Sequence, residues 1–263
     1  MVSLSAGSAE TCRLFCFHHA GGGSAAFRSW QRLLGPSVGI GTVLLPGRES
    51  LISQRPLTDF GVAVDRISSE IQPLTDKPYA LFGHSLGAAL AFEVGCCLER
   101  RGVRGPLCLI VSGRGALHRD DRPDSHDTGA GSGPTSALPD AEFINVLREM
   151  GGTPPELLDN SEIMEFLLPV IRADFHLSEN YRWDGSRIGS PLLVLGGASD
   201  PSAKASELTE WGALTTAGAT VRLFDGGHFF LYHSAVEVCQ EIAAFIKDHH
   251  LGRHTESAKP FVS

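Results

Sequence analysis

Six short apolar runs, at residues 14–17, 41–45, 79–82, 107–111, 192–195 and 221–224, recur along the chain with stretches of helical periodicity between them. Runs this brief, without sustained polar alternation, suit strands covered on both faces. Separated by helices, they specify an α/β fold built on a mostly parallel, doubly wound sheet. Helices are predicted at residues 25–34, 57–72, 86–100, 203–215 and 233–251. With 263 residues, 42% of them hydrophobic, and no Pro- or Ser-rich linker between self-sufficient halves, one domain spanning 1–263 is expected.

The spacing breaks once. About 78 residues separate Ser112 from Pro191, far more than a crossover needs, so an insertion at about 116–185 is expected. Its first part, 116–138, is rich in Gly, Asp, Ser and Pro and reads as a mobile loop. Its second part has apolar residues at helical spacing: Phe143, Val146, Leu147 and Met150 in 139–150, and the same pattern in 161–176. A lid over an active site and a surface decoration are both compatible with this pattern.

The third run leads into Gly83-His84-Ser85-Leu86-Gly87, a G-x-S-x-G pattern set between a strand and a helix. In such an elbow the serine occupies a strained turn, and a side chain at either glycine would strike neighbouring backbone. The helix that follows is apolar almost all round, interrupted chiefly by Glu93, which places it inside a large fold. Ser85 is therefore the candidate nucleophile. A serine hydroxyl needs a histidine to take its proton and a carboxylate to hold that histidine's tautomer. Asp200 follows the fifth run and His228 the sixth, so all three emerge at the C-terminal edge of a parallel sheet, where active sites of open α/β folds gather. The chain order Ser85, Asp200, His228 is that of α/β hydrolases. Asp225 and Asp184 are the other nearby carboxylates, but Asp225 is only three residues from His228, a spacing that suits the turn better.

Acyl transfer also needs N–H donors aimed at the developing oxyanion. The elbow supplies the backbone N–H of Leu86. The second is expected after the first run, in Phe17-His18-His19-Ala20-Gly21-Gly22-Gly23-Ser24, where glycines let amides turn toward an anion. Ala20 N–H is the candidate and Gly21 the alternative, with Ser24 expected to cap the helix that begins at Ala25. A phosphate loop is disfavoured because the G-x-x-x-x-G-K-[ST] pattern is missing.

Composition narrows the function further. A formal charge of −8 without Lys/Arg clusters argues against nucleic-acid binding. There is no apolar run of membrane-spanning length and no signal-like N-terminus, so no membrane role and a cytoplasmic location are expected. The six cysteines show no metal-type spacing and read as reduced core thiols.

Five segments in order, Phe17-His-His-Ala-Gly-Gly22, Leu45-Pro-Gly-Arg-Glu49, Gly83-His-Ser-Leu-Gly-Ala88, Arg172-Ala-Asp-Phe175 and Gly226-Gly-His-Phe-Phe-Leu231, resemble the type II thioesterases of polyketide synthase and nonribosomal peptide synthetase pathways. The resemblance covers nearly the whole chain and extends to the medium-chain acyl hydrolase of animal fatty acid synthesis. It implies an α/β-hydrolase fold with a helical lid, a Ser85-Asp200-His228 triad, and oxyanion N–H groups from Ala20 and Leu86. It also implies substrates carried on the phosphopantetheine arm of an acyl or peptidyl carrier protein. The expected activity is hydrolysis of aberrant or stalled acyl thioesters with no metal or cofactor, since a thioester is already activated. A carboxylic-ester hydrolase or a medium-chain fatty acyl thioesterase of the same fold, and a noncatalytic carrier-protein binder, are the alternatives. One position departs: the family usually has Pro where this chain has His18, which could contact substrate or stand solvated. Arg48 and Asp174 lie in the shared segments, and a buried Arg48–carboxylate pair bracing a loop, or Asp174 capping between helices, explains them without a chemical role.

Overall fold

The computed structural model describes residues 1–5, 7, 9–119 and 133–256. Residues 120–132, the middle of the stretch expected to be a mobile loop, lie outside the described residues. Strands β1 (Val2–Ser5), β2 (Cys12–Phe17), β3 (Val38–Val43), β4 (Tyr79–His84), β5 (Leu109–Ser112), β6 (Leu192–Gly197) and β7 (Ala219–Phe224) form one sheet in the order β1-β3-β2-β4-β5-β6-β7. Every neighbouring pair is parallel except β1, which runs antiparallel to β3 along one edge. This is the mostly parallel α/β sheet expected from the six runs, with β1 added.

The absence of polar alternation has a direct physical reading in β2. Phe15 and Phe17 point into one layer, against Ala63, Val64 and Ile67 of α2 (Phe60–Ile71, N-capped by Asp59) and the inner face of α3 (Leu86–Arg100). Leu14 and Cys16 point the other way, toward Trp30 of α1 (Trp30–Leu34) and Val238 and Ile242 of the C-terminal helix. Each large side chain so buried contributes roughly 1.5–3 kcal/mol. Twelve of the fifteen residues of α3 are buried, Glu93 among them. Its carboxylate accepts the Tyr181 hydroxyl at 2.6 Å.

Two predicted helices are broken in the structure. Residues 25–34 divide into a 3-10 turn, Ser24–Phe27, and α1, because Ser24 gives both its backbone N–H and its hydroxyl to the Glu49 carboxylate instead of capping. Phe27, Trp30 and Leu34 are nonetheless buried. The segment 203–215 becomes α7 (Ala205–Thr209) and a 3-10 turn. Between β5 and β6 run α4 (Asp140–Met150), α5 (Pro155–Leu158) and α6 (Ser161–Glu179), with a small core of their own in Phe143, Leu147, Leu158, Met164, Leu168 and Ile171. After β7 come α8 (Phe230–His233) and α9 (Ala235–Glu256).

The strand order fixes where chemistry can occur. The chain leaves β2 toward β3 and leaves β4 toward β5, so the loops after these adjacent strands diverge and open a crevice at the C-terminal edge. All six cysteines are free, with Cys97 half-buried and the others buried. Among the described residues no helix is long and apolar enough to cross a membrane.

Candidate active site

Ser85 sits at the sharp turn from β4 into α3 with φ 56° and ψ −116°, a region that side chains other than glycine rarely enter. Its N–H donates to Ser112 O at 2.8 Å, anchoring the turn to β5. A Cβ on Gly83 would lie 1.9 Å from Gly87 O, and one on Gly87 would lie 2.3 Å from Phe17 O. Both glycines are therefore required by contact with backbone, which cannot yield as a flexible side chain could.

Asp200 follows β6 and His228 follows β7, and these strands are neighbours paired as far as Gly197 and Phe224. Asp200 Oδ1 accepts the Ser202 N–H at 2.9 Å, and Oδ2 lies 2.8 Å from His228 Nδ1. A carboxylate only accepts, so Nδ1 carries the proton and Nε2 presents its lone pair. Nε2 is buried and has no hydrogen-bond partner among the described residues. Burial alone would raise the Asp200 carboxyl, but the bonds from His228 and Ser202 outweigh it and hold the group below its ordinary value. The other two carboxylates lie elsewhere: Asp225 is exposed and Asp184 accepts the Ser186 N–H.

Ser85, His228, His19 and Ala20 line one narrow cleft of about 30 Å³. The loop carrying Ala20 is held at several points. His18 is 2% exposed: its Nδ1–H donates to His19 O at 2.7 Å, and its Nε2 accepts the Leu45 N–H at 3.3 Å. It neither stands in solvent nor lines the cleft, but ties the loop to the end of β3. His19 Nδ1–H donates to Ala20 O at 2.9 Å while Tyr232 hydroxyl, 2.9 Å away, donates to Nε2. Burial first of all lowers both imidazoles, His19 to about 4. Gly21 N–H donates to Asp174 Oδ2 at 2.8 Å, so it is engaged, whereas Ala20 lines the cleft beside His19. Leu86 opens α3, where the first N–H groups of a helix have no intrahelical partner.

Arg48 and Asp174 pair with each other. Arg48 Nη1 lies 2.6 Å from Asp174 Oδ2 and Nη2 lies 2.6 Å from Oδ1, both side chains buried. Asp174 is thus the carboxylate that Arg48 was expected to find, and it caps no helix. Its neighbour Arg172 lies over the Phe143 ring and pairs with Asp140 at 2.6 Å, fixing α4 against α6.

The insertion helices supply the opposite wall of the cleft through Leu147, Met150, Gly152, Thr153 and Phe175. Among the large apolar side chains of the insertion, Met150 lines the cleft, Phe143 and Met164 lie in the insertion's own core, Leu167 packs against it, and Phe166 is 78% exposed. Leu147, Phe175 and Phe229 also line the cleft, a role that periodicity does not reveal. Phe175 and Phe229 stand in the shared segments, the one signal that could have found them. Among the described residues, no three His, Cys, Asp or Glu side chains gather as metal ligands would.

Comparison with known proteins matches residues 12–246 to the thioesterase domain family. The gramicidin S biosynthesis protein GrsT of Aneurinibacillus migulanus is 34% identical over 241 residues, covering 91% of this chain and 90% of its own. RedJ, a thioesterase of the prodiginine pathway in Streptomyces coelicolor, superposes with a TM-score of 0.80 at 33% identity, covering 90% of this chain and 87% of RedJ. YbtT, a type II thioesterase of the yersiniabactin pathway, gives 0.81 at 32% identity, covering 95% and 99%.

Proposed function

The chain belongs to the thioesterase domain family, and from that premise we propose that it is an editing thioesterase, hydrolysing acyl thioesters on the phosphopantetheine arm of acyl or peptidyl carrier proteins in a nonribosomal peptide or polyketide pathway. Relatives of that kind, spanning nearly the whole chain, support the substrate class. The observation that carries the chemistry is the Asp200–His228 hydrogen bond, which leaves a buried Nε2 lone pair in the cleft that Ser85 also lines. The reaction belongs in the cytoplasm, with the carrier proteins.

In this reading Ser85 Oγ attacks the thioester carbonyl carbon and its proton passes to His228 Nε2. The carbonyl oxygen becomes an oxyanion, held by the Ala20 and Leu86 N–H groups. Removing one such donor typically costs ~3 kcal/mol of the barrier. Collapse of the tetrahedral intermediate breaks the C–S bond, and His228 returns the proton to the departing pantetheine sulfur. Water, deprotonated by the same nitrogen, then attacks the acyl-Ser85 ester; collapse breaks the acyl–Oγ bond, His228 returns the proton to Ser85 Oγ, and a carboxylic acid is released. Asp200 stays ionised throughout, keeps the Nδ1–H tautomer and stabilises the imidazolium.

A cleft of about 30 Å³ is far smaller than the several hundred Å³ that enclose a typical small ligand. We therefore assign α4–α6 as a lid that must shift to admit an acyl chain. Ser85→Ala tests the reading: hydrolysis of an acyl-carrier thioester is expected to fall by about a millionfold. Retained turnover overturns the nucleophile assignment. A marked preference for nitrophenyl esters of equal chain length would make it an oxygen-ester hydrolase instead.

A further inference from the structure

We propose that Arg48 and Asp174 are positioning residues through which the insertion helix α6 sets the oxyanion loop, so that the Ala20 N–H is aimed only while α6 is seated. The inference rests on the reading of Ala20 as an oxyanion donor. The pair engages two backbone groups of the loop just after Ala20. Asp174 Oδ2 accepts the Gly21 N–H at 2.8 Å, and Arg48 Nη1 donates to Gly22 O at 2.9 Å. The same two side chains are joined by two bonds of 2.6 Å. One guanidinium and one carboxylate, joined to each other in planar, bidentate geometry, therefore hold the Ala20–Gly21 and Gly22–Gly23 peptide units.

The connection runs across three parts of the chain. Arg48 stands in the loop after β3 and Asp174 in the second turn from the C-terminal end of α6, 126 residues later. Packing reinforces the polar bonds: a Cβ on Gly21, at φ +75°, would lie only 3.1 Å from Ile171 Cγ1, one turn before Asp174 on the same helix. Helix α6 also presents Phe175 to the cleft. Displacement of α6 would withdraw the acceptor of the Gly21 N–H, and the peptide carrying the Ala20 N–H lies directly before it. Neither Arg48 nor Asp174 lines the cleft, so their effect on turnover passes through the loop.

A buried ion pair complicates any single replacement, because removing one partner strands the other charge and is strongly destabilising. The test therefore compares Asp174→Asn, which can still accept the Gly21 N–H, with the double variant Arg48→Met/Asp174→Leu, which removes both charges together and with them both loop bonds. Active sites are counted by fluorophosphonate titration of Ser85, so that rates refer to folded enzyme. For the double variant, kcat on an acyl-carrier thioester is expected to fall about a hundredfold or more, as for loss of an oxyanion donor, with KM within about twofold. The inhibition constant of an alkylboronic acid, whose Ser85 adduct places a negatively charged oxygen at the same donors, is expected to rise by a similar factor. Asp174→Asn is expected to lie between the double variant and the parent. A brace serving only stability would lower the melting temperature and leave kcat per titrated site and boronate affinity unchanged, and that outcome overturns the inference. If the parent enzyme fails to hydrolyse thioesters, the functional reading falls, while boronate affinity still decides whether the pair positions the loop.

Discussion

Asp200 Oδ2 and His228 Nδ1 meet at 2.8 Å although 28 residues separate them in the chain. The contact exists because β6 and β7 are parallel neighbours that end together. Asp200→Asn keeps the shape but can donate to Nδ1, which favours the wrong tautomer and moves the proton to Nε2. Turnover is expected to fall by about 10⁴-fold with little change in melting temperature. Steady-state hydrolysis of an acyl-carrier thioester, with circular dichroism melts alongside, checks this. An Asp200→Asn enzyme within tenfold of the parent would remove Asp200 from the mechanism.

The backbone at Ser85 stores strain that two inactive variants can expose. At φ 56° and ψ −116°, a residue with a Cβ is disfavoured by about 1–3 kcal/mol, whereas glycine is not. Ser85→Gly is therefore expected to be more stable than Ser85→Ala by roughly 1 kcal/mol after the entropy of the added glycine is counted. Urea midpoints of the two variants measure the difference. Equal midpoints would mean that the elbow relaxes freely in the absence of the hydroxyl.

How much of this was legible in the sequence depended on whether a relationship was local. Ser85, Asp200 and His228 each follow an apolar run directly, so their place at one sheet edge follows from the parallel order alone. The Arg48–Asp174 pair spans 126 residues, and nothing local names the partner. Strand β1 offers only the alternation Val2-Ser3-Leu4-Ser5, and its place beside β3 comes from tertiary pairing. The sequence leaves His18 open to a solvated or a substrate-contacting role, because a loop histidine gives no sign that a backbone N–H from Leu45 will meet it. The predicted helix over 25–34 failed because Glu49 competes for Ser24, a contact between separate loops.

Three buried imidazoles set the acid limit of stability. His18, His19 and His84 are all lowered from the ordinary 6.5, first by burial, His19 to about 4. Below pH 6.5 the unfolded chain binds protons at these positions that the folded chain refuses, so stability falls as pH falls through that window and is flat above it. Each histidine contributes up to about 1.4 kcal/mol per pH unit, and the three together approach about 4. Asp200, held below its ordinary carboxyl value, adds a loss only at pH below about 4. Urea titrations at pH 7.5, 6.5, 5.5 and 5.0 should show the decline. His18→Gln is expected to be less stable at every pH yet to reduce the slope by about a third. A flat profile down to pH 5 would show that these rings are protonated in the fold.

The acyl preference should respond to the two insertion side chains that line the cleft from α4. Leu147 and Met150 stand one turn apart on that helix and line the cleft with Ser85, His228 and Phe175 of α6. Met150 is the better target, because Leu147 also belongs to the insertion's own core and its truncation would loosen α4. A methylene fitted into an apolar pocket is worth about 1–3 kcal/mol in discrimination. Met150→Ala is therefore expected to raise kcat/KM for longer or branched acyl groups relative to acetyl by about tenfold or more, and Met150→Trp to do the reverse. A panel of acyl groups on a single carrier protein, from acetyl through medium-chain and branched groups, reads the ratio directly. Because Phe229 packs where a Cβ on Gly152 would lie, 2.2 Å from its ring, the α4–α5 turn bears on the residue beside His228. A Met150 change that shifted α4 as a whole would lower turnover on every acyl group alike. A change in the ratio between acyl groups, with the best substrate still turned over at the parent's rate, isolates the pocket from the lid.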